Sequence, residues 1–599
     1  MPILQVSAEK QLANDYLHYA VSVVNRAIPN AIDGLLISHR RIINTMLAHN
    51  MTDWYKTASA SGLVIAERHP HGSASSAIYG LASKASNMCP LLDGYGNIGG
   101  HIYDGKKAGQ LLSNDGPAAD RYTKTKLSEF ALAIFDIEPQ YLESKSSYTN
   151  KHTEILQYVP ALPLALINAQ QSVGVGYACN SASFNLHQIG KAIKALLTES
   201  EIKATKALGI PDFTTFGNIE RNQGILDLHE TGRGSLRLIG SYSIQDIKLN
   251  KRRNAWRKEV LITDLPTGSA ERFLTKLKKY CDEYKITTIA DANDLSDGQG
   301  IKIQLIGRHG ASASDIEAEL LRFTDLSTVF SANNTFVLQG LPKVMRPIEI
   351  LVQWVKARKA ILAKKFRSEI DCVQARMHIL DGLISNMGLM QKIVQTIMLQ
   401  DTEAQAQIML ETEYRLTNLQ AKAILAINLK QLVRLNKDKL ETEYSELKTK
   451  SAQLQKLIDD DDALNLYIIE QTSKLVNIFG QKRKTNVIQE KPVATTIVNN
   501  KPARTKRLEF IESASVGQVI AKSLWRYRNK LGQPINSISD TLSKELDNIY
   551  KDSKLSPKVI QQWAENSSVS LPITDSWANK MTKDRSLLER HICWSITKL

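Results

Sequence analysis

Cysteine is scarce in this chain. The five that occur among 599 residues, Cys89, Cys179, Cys281, Cys372 and Cys593, are far apart, with no CxxC pair and no close Cys/His spacing. That pattern speaks against both a disulfide framework and a zinc site. Long apolar runs are also missing. The longest, around PALPLALINA (Pro160 to Ala169), falls short of the roughly 20 residues needed to span a bilayer. The opening segment MPILQVSAEKQLAND has no apolar core of signal-peptide type. These absences lead to the expectation of a soluble, cytoplasmic protein with no membrane association. No Walker-type phosphate loop occurs either, so nucleotide hydrolysis through that motif is not expected of this chain.

What is present is length and positive charge. At roughly 150 residues per domain the chain predicts about four domains, and its formal net charge of +15 favours a polyanionic partner. The excess is uneven: residues 481–599 carry 21 Lys+Arg against 11 Asp+Glu, which is +10 of the total. Residues 1–160 mix helical periodicity with Gly- and His-rich loops. Residues 161–345 turn to short β-prone runs such as VLITDL and IKIQLIG between turn signals, an α+β section.

From Val352 a spacing of three and four through Val355, Lys359, Leu362, Phe366, Ile370, Val373, Met377 and Leu380 marks the seam of a long helix. Leu440, Tyr444, Leu447, Ser451, Leu454 and Ile458 mark a returning one. With YRLTNLQAKAILAINLKQLVRL between them, residues 346–480 read either as an antiparallel coiled coil with a terminal helical globule or as a plain helical bundle. The segment 481–507 reads as a basic linker. Residues 508–599 hold four of the seven tryptophans and read as a mainly helical region of unknown role.

Chemistry concentrates between Asn25 and Phe135. His39-Arg40-Arg41 places a basic edge on a helix backed by Ile42, Ile43, Met46 and Leu47, a face that suits either a phosphate backbone or plain solvent. Arg121-Tyr122 stands before an amphipathic segment with Leu127, Phe130, Ala131, Ile134 and Phe135 on one side. That spacing predicts a tyrosine near a helix N-terminus, where a phosphate is favoured. A phenol is only about 0.1% ionised at neutral pH. As a nucleophile it therefore needs a neighbouring cation, which Arg121 could supply, and a proton acceptor or relay, for which His69 and His71 are candidates.

The segments RAIPNAIDGLLISHRRIINTM, ERHPHGSASSAIYGLA, LLDGYGNIGG and AADRYTKTKLSEFALAIF, in this order, resemble the breakage-reunion (A) subunit of type IIA DNA topoisomerases, gyrase and topoisomerase IV. The likeness runs on through PALPLALINAQQSVGVGYACN, GIPDFTTFGNI, TGRGS and LPTGSAERFLTKL, over about residues 10 to 475. With no extra domains evident, it is most similar to the medium subunit of T-even-type phage topoisomerases, which implies a viral source and the host cytoplasm. The resemblance implies a multidomain α+β fold: a winged-helix domain, a tower-like α/β domain and a long antiparallel coiled coil ending in a dimerisation globule. It makes Tyr122 the nucleophile that becomes linked to a 5′ phosphate, Arg121 the transition-state arginine and His71 a contact to the scissile phosphate. His39, Arg40, Arg41, His69 and Lys124 become DNA contacts. Val173 becomes an apolar wedge between base pairs, a core valine being its alternative.

Three departures qualify the resemblance. Ile32 and Leu36 stand where the family's RDGLKP segment has basic residues. The loop SASSAIYGLASKASNM is short and lacks the bacterial acidic residue, and no QRRGGKG-like box follows the core. Relaxation and decatenation are therefore expected rather than negative supercoiling. Neither an EGDSA-like segment nor a suitable DxD pair is found, and the run Asp459 to Asp462 reads as a solvated cap. Mg²⁺ and ATP are accordingly expected mainly on a partner ATPase/TOPRIM subunit, in a heterotetramer built on a homodimer of this chain that grips double-stranded DNA. A non-enzymatic DNA-binding scaffold derived from the same fold is the alternative.

Overall fold

The computed structural model describes residues 19–99, 116–215, 217–250, 255–266, 269–296, 300–426 and 437–489. Over these the chain is a mixed α+β protein. Three helices, α1 (Ile37–Ala48), α2 (Thr57–Glu67) and α3 (Ser75–Ala82), meet around the fully buried Ile42, Ile43, Met46, Val64 and Ile78. They carry a three-stranded antiparallel sheet of β1 (Tyr55–Lys56), β2 (Leu92–Tyr95) and β3 (Lys124–Leu127), with β3 in the centre. Along β3 the side chains alternate: Thr125 and Leu127 are buried beneath the sheet, whereas Lys124 and Lys126 face outward.

A six-stranded sheet forms the second layer. It contains β4 (Gln171–Val173), β5 (Ala178–Asn180), β6 (Asn218–Arg221), β7 (Arg233–Ile239), β8 (Ser327–Asn333) and β9 (Asn486–Gln489), in the order β9-β6-β7-β8-β5-β4. Inserted between β7 and β8 is a four-stranded sheet, Tyr242–Asn250, Ala255–Ile262, Ile289–Asp294 and Ile303–Gly307. The helices Ala270–Asp282 and Ala313–Phe323 cover it through Phe273, Leu277, Ile316 and Leu320. The α+β texture expected for 161–345 is thus present as these two sheets, one of them completed by Asn486–Gln489, and a two-stranded ribbon of Thr335–Leu338 and Leu341–Val344.

Residues 481–489 correct the linker boundary. The fully buried Asp212 carboxylate accepts from the backbone N–H of Lys484 (3.1 Å) and of Thr485 (2.9 Å) and from Asn185 Nδ2 (3.0 Å). Arg483 donates to the carbonyls of Ile210 (2.9 Å) and Pro211, and β9 then pairs parallel with β6. Local composition made these basic residues look solvated, but their partners lie some 270 positions upstream. The rest of the expected linker and the region 508–599 fall outside the described residues.

Two long helices, α4 (Pro347–Ser385) and α5 (Lys437–Asp459), run antiparallel, since Arg376 pairs with Glu443 (2.8 Å) while Lys359, earlier in α4, pairs with the later Asp461 (2.8 Å). The seam is close to the periodic one: Val355, Leu362, Phe366, Ile370, Val373 and Leu380 are buried. At its base α4 is tied down by Trp354 Nε1 donating to the Pro160 carbonyl (2.9 Å) and by Arg358 paired with Asp136. The helices Met390–Met398, Glu403–Glu413 and Asn418–Leu425 form a small cluster around Leu383, Ile393, Leu410 and Ile424 at the far end. The return is not one helix. It breaks at Asp460, whose carboxylate accepts from the N–H groups of Asp462 (3.0 Å) and Ala463 (3.3 Å) to open α6 (Asp461–Phe479). The acidic run is a cap, placed between two helices.

Candidate active site

Tyr122 lies on a short turn, Asp120 to Tyr122, that enters β3. The expected position at a helix N-terminus is corrected: four strand residues intervene before the six-residue helix Glu129–Ile134, whose Ala131 N–H is already satisfied by Ser128 Oγ (3.0 Å). Periodicity read through the strand because Thr125 and Leu127 are also buried. The tyrosine ring is 69% exposed, and the Arg121 guanidinium carbon sits 4.7 Å from its centre, within cation–π range.

The turn beneath this exposed pair is held firmly. Ser75 Oγ donates to the Asp120 carboxylate (2.8 Å), the Thr57 N–H donates to the Thr123 carbonyl (3.0 Å), and the Ala58 N–H reaches the Asp120 carbonyl (3.3 Å). The hydroxyl of fully buried Thr123 bonds those of Thr57 (2.8 Å) and Tyr79 (2.9 Å). An exposed nucleophile with a clamped backbone keeps its reach without losing its direction, which suits attack on a ligand docked from outside.

The second group of candidates follows the other end of α2. Glu154, buried, accepts from Arg41 through both oxygens (2.7 and 3.3 Å). Arg41 in turn reaches Nδ1 of His69 at 3.3 Å. A guanidinium can only donate, so Nδ1 accepts and the neutral ring carries its proton on Nε2. Burial, with Arg41 and His71 nearby, lowers the His69 pKa, which keeps it neutral. The His71 ring centre is 5.7 Å from that of His69, and His71 is exposed. Among the described residues no hydrogen bond or ring contact joins Tyr122 to either histidine. Their anchoring points are separated by the 11 residues of α2, about 16 Å of helix rise. A direct histidine relay to Tyr122 within one chain is therefore not what this arrangement offers.

Arg40 is the clear correction among the basic residues. It is buried, with Nε 2.9 Å from the fully buried Asp33 carboxylate, and it donates to the carbonyls of Leu156 (2.7 Å) and Leu35 (3.2 Å). Two of its nitrogens donate to carbonyls and the third lies beside the Asp33 carboxylate, so its guanidinium is turned into the protein rather than toward an outside ligand. Adjacent arginines on a helix point about 100° apart, and Arg41, partly buried, turns toward Glu154 and His69 instead of Asp33. Lys124 is exposed on β3, and Val173, at the tip of the β4–β5 hairpin, is 78% exposed, so it is no core valine.

Residues 26–473 match the profile of the DNA gyrase/topoisomerase IV family of A subunits. The chain belongs to that family. It is similar to the DNA gyrase A subunit of Lawsonia intracellularis, 30% identical over 496 residues that cover 81% of this chain and 58% of the relative. For the Borreliella burgdorferi gyrase protein the figures are 29%, 83% and 61%, and for that of Staphylococcus aureus strain NCTC 8325 they are 29%, 80% and 53%. The chain thus spans somewhat more than half the length of these relatives.

In this gyrase/topoisomerase IV A-family chain, sequence reasoning missed the clamp (Thr57, Ser75, Tyr79, Asp120, Thr123) and Glu154. Thr123 sits in the RYT segment, but a small hydroxyl residue carries no signal of its own. Glu154→Gln, which leaves Arg41 without its carboxylate, is expected to cost about 2 kcal/mol. A thermal melt unchanged from wild type would remove Glu154 from its holding role.

His39 lines a cleft of about 720 Å³ with Leu36, Asn87, Asn168, Ser183 and Phe213. Its half-buried ring has a sealed, unpartnered Nδ1, and burial together with Arg40 pushes its pKa down to about 4. An unfolded histidine titrates near 6.5, so the unfolded chain takes up a proton first and stability falls as pH drops from about 6.5 toward 4. Melts of His39→Gln are expected to depend less on pH across that window. A wild-type slope in the variant would acquit His39.

Proposed function

We propose that this chain is the DNA-cleaving and rejoining subunit of an ATP-dependent type II DNA topoisomerase. The observation that carries the proposal is the exposed Tyr122, overlain by Arg121 on a clamped turn inside the family-matched segment. The phenolic oxygen attacks the phosphorus of a backbone phosphodiester, the bond from phosphorus to the 3′ oxygen breaks, and the phenolic proton leaves as the 3′ hydroxyl gains one. The 5′ phosphate stays on Tyr122, and attack by the 3′ hydroxyl reverses the step. Because the phosphotyrosyl link is itself a phosphodiester, resealing consumes no other energy source. Arg121 places its charge where the phosphorane gathers negative charge.

The three helices and sheet at the start of the fold are read as the winged-helix unit, the layered sheets as the tower-like part, and α4 with α5 as the coiled coil with a dimerising end. Arg41, His69 and His71 form one phosphate-facing group, and His39 lies at its margin. Val173 on its hairpin is suited to wedge between base pairs, at a cost of a few kcal/mol of unstacking that bent-DNA contacts offset.

Among the described residues no three His, Cys, Asp or Glu side chains converge as a metal site, and the carboxylate of Asp120, on the same turn as the tyrosine, is already bonded to Ser75. The site residues do not fit a resident metal, so no step here passes through one. Mg²⁺ and ATP are assigned mainly to an ATPase/TOPRIM partner, with a homodimer of this chain supplying one tyrosine per strand. No helix among the described residues is long and apolar enough to cross a membrane.

The test is reconstitution: the chain with such a partner, supercoiled plasmid, Mg²⁺ and ATP, stopped with detergent. Protein-linked linear DNA is the expected result. DNA binding with no covalent adduct under those conditions would instead assign a non-enzymatic scaffold.

A further inference from the structure

The outer face of the sheet that carries Tyr122 is unusual for a solvated surface. Tyr95 is 61% and Trp54 44% exposed, and their ring centres lie 5.7 Å apart at an interplanar angle of 59°. Each ring has a lysine beside it: Lys124 Nζ is 5.9 Å from the centre of Tyr95, and Lys126 Nζ is 5.2 Å from that of Trp54. The strand register adds a third cation, because Lys56 and Tyr95 flank Lys124 from opposite sides in one cross-strand row.

Like charges directly opposite each other on neighbouring strands are destabilising. Here Lys56 faces Lys124, and among the described residues neither has a carboxylate partner. Asp93 approaches Lys126 only at 3.9 Å. The face therefore holds two lysines without a carboxylate partner, Lys56 and Lys124, and a third, Lys126, loosely paired to Asp93, interleaved with exposed aromatic surface next to the turn of the tyrosine.

We propose that Trp54, Tyr95, Lys56, Lys124 and Lys126 form a binding site for single-stranded DNA. The lysines answer to phosphates, as they would on any nucleic acid, but the rings discriminate. A duplex keeps its bases stacked inside and offers a flat protein face only phosphates and groove edges. An unpaired strand exposes base faces, and stacking on an aromatic side chain contributes about 1–3 kcal/mol per base. Lysine is depleted and aromatics enriched at protein–protein interfaces, so three lysines among two rings favour the nucleic acid over an acidic protein. The assignment extends the DNA-handling role proposed above to unpaired nucleotides beside Tyr122, and it is tested by binding alone, so that its fate is separate from that of the cleavage reaction.

The experiment uses the full chain and two labelled probes, a short oligothymidylate and a duplex of equal length, with anisotropy measured over a range of salt. Trp54→Leu and Tyr95→Leu keep apolar bulk and remove the ring. Each is expected to weaken oligothymidylate binding on the order of 10-fold and to leave duplex binding as it was. Lys124→Gln and Lys126→Gln should each flatten the salt dependence for the single strand by about 0.7 in the log–log slope. Equal losses on both probes would make the face a general phosphate surface and overturn the proposal. Unchanged oligonucleotide binding in the leucine variants would also overturn it, and loss of partner-subunit capture in those same variants would assign the face to a protein.

Discussion

Tyr122→Phe is expected to abolish the detergent-trapped covalent adduct, with strand passage reduced by about 10⁴-fold or more, the scale seen when a covalent nucleophile is removed. Duplex affinity should change little. The structure gives the reason for this separation. The ring is exposed and touches Arg121 through its face, while the turn is held by the Thr57, Ser75, Tyr79 and Thr123 hydroxyls and by backbone bonds. None of those contacts uses the phenolic oxygen, so its removal leaves the architecture and Arg121 in place. Persistence of protein-linked DNA in the variant would move the nucleophile elsewhere and undo the proposed mechanism.

Arg40→Met should have the largest effect on stability, about 3–5 kcal/mol, or roughly 3–5 °C in melting temperature for a chain of this length. It strands the Asp33 carboxylate, which is fully buried, 2.9 Å from Arg40 Nε, and bonded as well to the N–H groups of Leu35 (2.9 Å) and Tyr158 (3.1 Å). The double variant Asp33→Asn with Arg40→Met should recover part of the loss, since no buried charge then lacks its partner. A fully stable Arg40→Met chain with weakened DNA affinity would return Arg40 to the role of a backbone contact.

These two residues also mark what the amino-acid order could and could not reveal. The long helices were legible because their burial repeats every three or four residues over many turns, and Phe366, Ile370 and Leu380 fall where the repeat puts them. The tyrosine segment was legible as a motif, but its local structure was not. A four-residue strand with Thr125 and Leu127 buried cannot be told from the first turn of a helix by periodicity. Arg40 and Arg41 are identical side chains one position apart. Their different orientations depend on Asp33 and Glu154, partners that no local pattern announces. The same holds for Lys484 and Lys124, one with its backbone folded against Asp212 and the other open to solvent.

The parallel strand β9 also bears on how this chain is made. Its partner β6 precedes it by nearly 270 residues, and the N–H groups that satisfy Asp212 come from Lys484 and Thr485. During synthesis the sheet must wait, with β6 as its exposed edge and the buried Asp212 carboxylate short of two donors, until both long helices and the segment between them have emerged. Contacts of such sequence separation form slowly, and an open strand edge is a site for mispairing between chains. The sheet therefore gains its sixth strand, which becomes its new edge, only after residue 489 has been made.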